Sequence, residues 1–249
     1  MNGEIRRCLA TAFYNRRKSM PQAMLNPQQL TGRAASHVRE VPELQSRLHS
    51  DAVAAVLNLR AAAVQEGIDL AVVSSFRDFD RQAGIWNGKF RGERPLLDRA
   101  SQPLDASKLD ERAKVDAILL WSALPGASRH HWGSDFDVID RAAFGPDYRP
   151  QLTVAEFAAG GPFERLNDWL GMNLSRFNFF RPYTTDRGGV HPEPWHLSYA
   201  PVSGPALARL TLDVLYDCID KSELLGREHV LTRLPEIHAK YVMAVDTAD

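Results

Sequence analysis

Cysteine is scarce in this chain. The 249 residues include two, Cys8 and Cys218, far apart and neither in a C-x-x-C pair. That excludes a disulfide framework and a cysteine-rich structural zinc site, and leaves each as a small buried or half-exposed thiol. Excess charge of one sign is also missing. Thirty Lys and Arg against thirty-one Asp and Glu give a formal net charge of −1. A chain so balanced carries no electrostatic footprint for nucleic acid or an anionic membrane. Long apolar runs are absent, and none approaches the ~18 residues of a membrane span. The opening stretch MNGEIRRCLATAFYNRRKSMPQ breaks its apolar patch at Asn15, Arg16, Arg17 and Lys18. A secretory signal needs roughly 7–15 apolar residues in a row. The expectation is a cytoplasmic protein, with periplasmic export by another route left open.

What is present is ordinary for a globular protein: 44% hydrophobic, 24% charged and 9% aromatic residues, enough to build a core. There is no repeat, low-complexity tract or linker. Residues 1–42 show no long periodic run and read as an N-terminal arm with at most one or two short helices; 43–249 read as a single domain ending in helices. From LHSDAVAAVLNLRAAAVQEGI a helix is predicted, capped by Ser50 or Asp51 and stopped by Gly67. DLAVVSSF (69–76) predicts a strand, and DFDRQAGIWNGKF the next helix. Residues 91–107 look like a loop insertion, and KLDERAKVDAILLWSAL returns to helical periodicity. SDFDVID alternates like a strand. TVAEFAAGG and PFERLNDWLGMNL suggest helices, FNFFRPY and WHLSYAP strands. Together these predict one α+β domain.

SRHHWGSDFDVID, residues 128–140, packs two histidines and three aspartates around one glycine. His130 and Asp137 are seven positions apart, an odd separation that puts them on opposite faces of a regular strand. Gly133, between them, can bend the chain and bring both to one point. HPEPWHL, residues 191–197, adds Glu193 and His196. Pro192 and Pro194 forbid a regular helix, so this is not the HExxH arrangement. A bent entry into a strand is expected instead, with Trp195 as an apolar wall. Two histidines, an aspartate and a free carboxylate suit metal-assisted amide hydrolysis. Zinc takes three protein ligands and leaves a position for water, and a carboxylate that is not a ligand can move the proton. In SSFRDFDRQ, Arg77 ends a strand and can face a developing oxyanion; a surface arginine opening a helix is the plainer alternative.

The three segments together resemble the VanY-type D-alanyl-D-alanine carboxypeptidases, which belong with the lysostaphin-type peptidases and the Hedgehog signalling domain. That family's signature is S-x-H-x-x-G-x-A-x-D, followed roughly fifty residues later by E-x-W-H. SRHHWGSDFD and EPWH match it in order, and SSFRDFDRQ resembles the upstream S-x-[FY]-R segment with its glutamine. The likeness spans roughly residues 50–200. It implies an α+β fold with a small antiparallel sheet forming a zinc cleft, flanked by helices. It implies one zinc ion on His130, Asp137 and His196, Glu193 as general base and acid, and Arg77 polarising the scissile carbonyl. Ser128 and Gln82 would hold the substrate's terminal D-residue.

The chain departs from the family at Asp135, where alanine is usual. By alternation Asp135 shares a face with Asp137. It is expected at the cleft rim, reading a cationic substrate group, or else solvated or paired with an arginine. His131 competes with His130 as a ligand but points away on an extended chain. Asp140 reads as structural. His37, His49, His229 and His238 lack metal-like company, and Trp121, Trp132 and Trp169 are expected in the core or the cleft wall. The resemblance implies a zinc carboxypeptidase removing a C-terminal D-alanine from peptidoglycan stem peptides or muropeptides, by attack of water on the zinc with Glu193 as base. L,D-cleavage in muropeptide recycling is slightly favoured over D,D-cleavage, from the expected location alone. The alternatives are an endopeptidase of the same chemistry and a zinc-containing binding domain without catalysis. No nucleic-acid partner and no membrane span are expected.

Overall fold

The computed structural model describes residues 24–248. What the sequence suggests for Cys8 and the opening stretch lies outside the described residues. Along the chain run α1 (Pro27–Leu30), β1 (Val38–Val41), β2 (Ser46–His49), α2 (Val53–Gln65), β3 (Leu70–Ser74), α3 (Phe79–Phe90), β4 (Leu96–Leu97), β5 (Pro103–Leu104) and α4 (Glu111–Trp121). Then follow β6 (Asp135–Asp140), α5 (Val154–Phe157), α6 (Glu164–Asn173), β7 (Phe179–Phe180), β8 (His196–Tyr199), α7 (Ala200–Arg209), α8 (Leu212–Asp220), α9 (Arg227–Thr232) and α10 (Leu234–Ile237). The expected α+β class is found. Four strands form an antiparallel sheet in the order β3-β6-β8-β7, flanked by helices. Among the described residues, no helix is long and apolar enough to cross a membrane.

The sheet's two faces do different work because side chains alternate along a strand. Phe136, Val138 and Leu197 point into one core, with Val56 and Leu59 of α2 and Leu166 and Leu170 of α6. Asp135 and Asp137 take the opposite face, and Asp135↔Ser198 and Asp137↔His196 are paired across β6 and β8. A second core joins Phe79, Trp86 and Phe90 of α3 to Ile118 and Leu119 of α4 and to Leu215, Ile219, Val230 and Ile237 of the C-terminal helices. Buried Cys218 belongs to it.

Several boundaries differ from the sequence expectation. The hairpin β1–β2 pairs Val38 with His49 and Val41 with Ser46, so it straddles the boundary drawn at residue 42. VREV and SRLH are too short and too polar to show strand alternation. The helix predicted from Ser50 or Asp51 starts at Val53, and its N-cap position falls on Ala52, which has no side-chain acceptor to offer. The 91–107 loop folds back as the small hairpin β4–β5.

Gly133 carries the local geometry of the ligand-rich stretch. It ends a 3-10 turn, Arg129–Trp132, with φ of 66°. A Cβ there would meet Val38 Cγ1 at 2.4 Å and the His49 backbone nitrogen at 2.8 Å. Both the left-handed backbone and the close hairpin require glycine. Gly133→Ala is expected to cost about 2–5 kcal/mol, from the left-handed penalty and overpacking together. Urea unfolding measures this, and a loss below about 0.5 kcal/mol, as at an indifferent surface site, would show that the hairpin yields.

Candidate active site

The bend at Gly133 and the strand pair β6–β8 bring three side chains together. His130, Asp137 and His196, all buried, each offer a ligand atom within 4.8 Å of the others. His130 Nδ1 donates to the Ser75 carbonyl at 3.1 Å, which assigns the lone pair to Nε2. That nitrogen faces Asp137 Oδ2 at 3.5 Å. Two acceptors thus look at each other with no proton between them. Asp137 Oδ1 is buried and has no hydrogen-bond partner, with His196 Nδ1 3.5 Å away. An orphaned carboxylate oxygen beside two imidazole nitrogens is a donor set that calls for a cation, and two histidines with a carboxylate suit zinc.

The electrostatics follow from burial and neighbours. Burial raises the Asp137 carboxyl to about 6, with the Glu193 charge adding and His196 and Arg77 opposing. Burial, then the charges of Arg77 and His196, hold His130 well below the usual imidazole range. Burial alone would lower His196 too. Hydrogen bonds to Asp135 and Glu193, with the charge of Asp137, instead push it up to about 10. Without metal, His196 is therefore a cation that donates from Nδ1 to Glu193 Oε2 at 3.0 Å and from Nε2 to Asp135 Oδ1 at 3.2 Å.

Glu193 precedes β8 on the predicted bend, its backbone N–H bonded to the Tyr183 carbonyl at 2.9 Å. Arg77 follows β3, and its backbone N–H donates to the His130 carbonyl at 3.2 Å. Its guanidinium donates to Gln82 Oε1 at 2.6 Å and to Ser74 Oγ at 3.1 Å. Two of its five N–H groups are spent, so three remain. Burial pulls the Arg77 pKa down, while Asp137 and Glu193 oppose this. Arg77, Ser128, His130, Asp137, Glu193, Trp195 and His196 line one cavity of about 250 Å³. Trp121, Ser122, Ala123, Arg129, Leu152, Tyr183 and Val190 complete it.

Two expected substrate contacts are placed elsewhere. Gln82 is fully buried. Its oxygen accepts from Arg77 and its amide donates to the Ala123 carbonyl at 2.7 Å. Each end thus has a partner within the protein, and Gln82 orients Arg77. Asp135 is not at the rim but takes the alternative expected of it, a pairing with an arginine. It has no exposed surface and is bonded to Arg129 Nε at 2.7 Å and to the Ser134 hydroxyl at 2.8 Å. Burial alone would raise its carboxyl, but Arg129 and His196 hold it below the ordinary range.

His131 is no ligand in this geometry. Its Nδ1 donates to the Arg77 carbonyl at 2.6 Å and its Nε2 accepts the Gly126 N–H at 3.1 Å. Burial holds it down at about 4, so it braces the Arg77 turn as a neutral ring. Asp140 is structural, accepting the backbone N–H groups of Asp69 and Ala142, each at 2.9 Å. Trp132 and Trp169 lie in the cores. Trp121 lines the cavity and stacks on His191 at 4.3 Å.

Sequence reasoning missed Arg129 and Tyr183. Arg129 occupies a variable position of the motif, and only its pairing with Asp135 would have drawn notice. Tyr183 lies at the end of FNFFRPY; burial raises its hydroxyl pKa, and its ring meets His196 edge-on at 5.2 Å. The residues that carry Glu193 are also tied down from far away. Asp246 accepts from Thr184 and Arg187, and Arg99 pairs with Asp186 at 2.9 Å.

Comparison with known proteins locates the chain. The D-alanyl-D-alanine carboxypeptidase (VanY) family matches residues 45–202. Two uncharacterized proteins of Haemophilus influenzae are similar. One is 45% identical over 103 residues, covering 40% of this chain and 70% of its own. The other is 32% identical over 127 residues, covering 48% and 93%. Among solved structures, VanYB in complex with D-alanine-D-alanine is 22% identical with a TM-score of 0.47, covering 78% of this chain and 88% of that one.

Proposed function

The chain belongs to the VanY family of D-alanyl-D-alanine carboxypeptidases, and on that premise we propose that it is a zinc carboxypeptidase removing a C-terminal D-alanine from peptidoglycan stem peptides. The observation that carries this reading is the convergence of His130, Asp137 and His196 in the cavity that Glu193 and Arg77 also line. One zinc ion held by those three side chains would supply Lewis-acid polarisation and a water of lowered pKa.

This chain's own groups do the rest. Glu193 Oε2 accepts from His196 Nδ1 at 3.0 Å. Once that nitrogen serves a ligand role, the carboxylate is free to take the proton from attacking water and return it to the leaving amine. Arg77, fixed by Gln82 and Ser74, turns its remaining N–H groups towards the oxyanion that forms at the scissile carbonyl. A donor already fixed in place needs no reorganisation as charge develops. Trp195, buried against Phe157 at a ring distance of 5.8 Å, walls the cavity against water. Ser128, buried in the lining next to His130, is the group for the terminal D-residue.

Both L,D- and D,D-cleavage fit this arrangement, so the assay must separate them. Tetrapeptide and pentapeptide muropeptides are incubated with zinc-loaded protein and the products weighed by mass spectrometry. Loss of one alanine from the tetrapeptide establishes an L,D-carboxypeptidase, and loss from the pentapeptide alone a D,D-carboxypeptidase. Intact stems in both, with zinc bound, would sink the proposal and favour cleavage within cross-links or a binding role.

A further inference from the structure

We infer that Asp135, held in place by Arg129, is the positioning residue for His196, fixing which ring nitrogen of that histidine is offered to the metal. The inference rests on the zinc reading above and concerns how this chain prepares the site.

The geometry is that of a clamp. In the β6–β8 register Asp135 lies opposite Ser198 and Asp137 opposite His196. The imidazole is therefore caught between two carboxylates on one face of the sheet. Nε2 is 3.2 Å from Asp135 Oδ1, and Nδ1 is 3.5 Å from Asp137 Oδ1. Among the described residues Asp135 is the hydrogen-bond partner of Nε2. A carboxylate can only accept there, so it keeps the proton on Nε2 and leaves the Nδ1 lone pair for a cation. A carboxylate behind a metal-ligating histidine also makes the ring a better base.

Asp135 cannot turn away from this task. Its Oδ1 also accepts from Arg129 Nε at 2.7 Å and its Oδ2 from the Ser134 hydroxyl at 2.8 Å. Arg129 is in turn fixed by donating from Nη2 to Ser198 Oγ at 2.7 Å, and Ser198 donates on to Ser203 Oγ at 2.7 Å. The guanidinium lies over the Trp132 ring at 4.8 Å. Both charged side chains are almost wholly buried, 4% and 0% exposed. A buried ion pair must recover the desolvation of two ions, and an apolar pair of similar volume is often as stable or more so. Stability alone therefore gives no reason for the charges. Orientation of His196 does.

The test reads zinc affinity and proton position. Asp135→Ala alone would strand the buried Arg129 cation, so it is combined with Arg129→Met, removing both charges together. Asp135→Asn is made beside it. Zinc dissociation constants come from competition with a chromogenic chelator, and folding from circular dichroism and thermal melting. The folded double variant is expected to bind zinc about 10–100-fold more weakly than the natural chain, the range for loss of an outer carboxylate partner, and Asp135→Asn, whose amide oxygen can still accept from Nε2, to be weakened less. Affinity of the double variant within about twofold would overturn the inference even if the melting temperature falls, since a purely structural pair alters melting alone.

A second measurement needs no variant. In the ¹⁵N-histidine-labelled natural chain with zinc bound, His196 should keep its proton on Nε2 and show the metal-induced shift on Nδ1. A metal-shifted Nε2 would overturn the inference whatever the variants do. A natural chain that binds no zinc would overturn both this inference and the zinc reading. Normal binding with unweakened variants would overturn the clamp alone.

Discussion

Glu193→Gln should reduce kcat by about 10²–10⁴-fold, the usual worth of a positioned general base and acid, while zinc content and melting temperature stay near those of the natural chain. The expectation follows from what Glu193 does and does not touch. Its side chain is 18% exposed at the cavity and its contact is His196 Nδ1; it is outside the His130–Asp137–His196 cluster. Glutamine keeps its length and its hydrogen-bonding oxygen but cannot accept and return a proton. Substrate binding should survive, so kcat and kcat/KM should fall together and KM should change little. Loss of zinc along with activity would instead make Glu193 a ligand. Activity within about tenfold of the natural chain would move proton transfer to another group, with Tyr183 next in the lining.

Much of this site is legible in the sequence, and the reasons differ residue by residue. His130 and Asp137 could be brought together on paper because glycine is the residue that permits the required turn, and Gly133 does take φ of 66°. The two prolines around Glu193 made a bend readable before β8. Asp135 shows where such reading stops. Alternation correctly put it on the face of Asp137, but alternation distinguishes faces, not floor from rim. The partner that buries it, Arg129, lies across a 3-10 turn whose direction no periodicity reports. Gln82 was misread for a related reason. Its spacing from Arg77 is right for contact, and the contact is with Arg77 itself rather than with anything in the cavity. The hairpin β1–β2 escaped because its strands are four residues each and too polar to show alternation, although Val41 and Leu48 are buried. Least legible were the C-terminal elements: that Asp246 would fasten Thr184 and Arg187 is a contact across some sixty residues, and nothing local in the sequence signals it.

Asp137→Asn should cut zinc affinity by more than about 100-fold, beyond the effect of any outer partner, and leave the fold standing. The carboxylate is buried with an oxygen that no proton satisfies, and burial has pushed it up to about 6. Such a group is kept for what it binds, at a cost to the empty protein. An amide of the same shape escapes that cost, so the zinc-free variant should unfold within about 1 kcal/mol of the natural chain, the value of a typical hydrogen bond. The same charges set the pH dependence of the natural site. Between about pH 6 and 10 Asp137 is ionised and His196 holds a proton that must leave before Nδ1 can act as a ligand. His130, held well below the ordinary range, is already neutral. Protons therefore oppose zinc. The association constant should rise by about one decade per pH unit across that window and fall by about two per unit below about pH 6, where Asp137 takes a second proton. Chelator competition at a series of pH values measures both slopes. A constant that is flat from about pH 7 to 9 would mean that His196 Nδ1 carries no proton in the empty site, and that its bond to Glu193 has been given the wrong polarity.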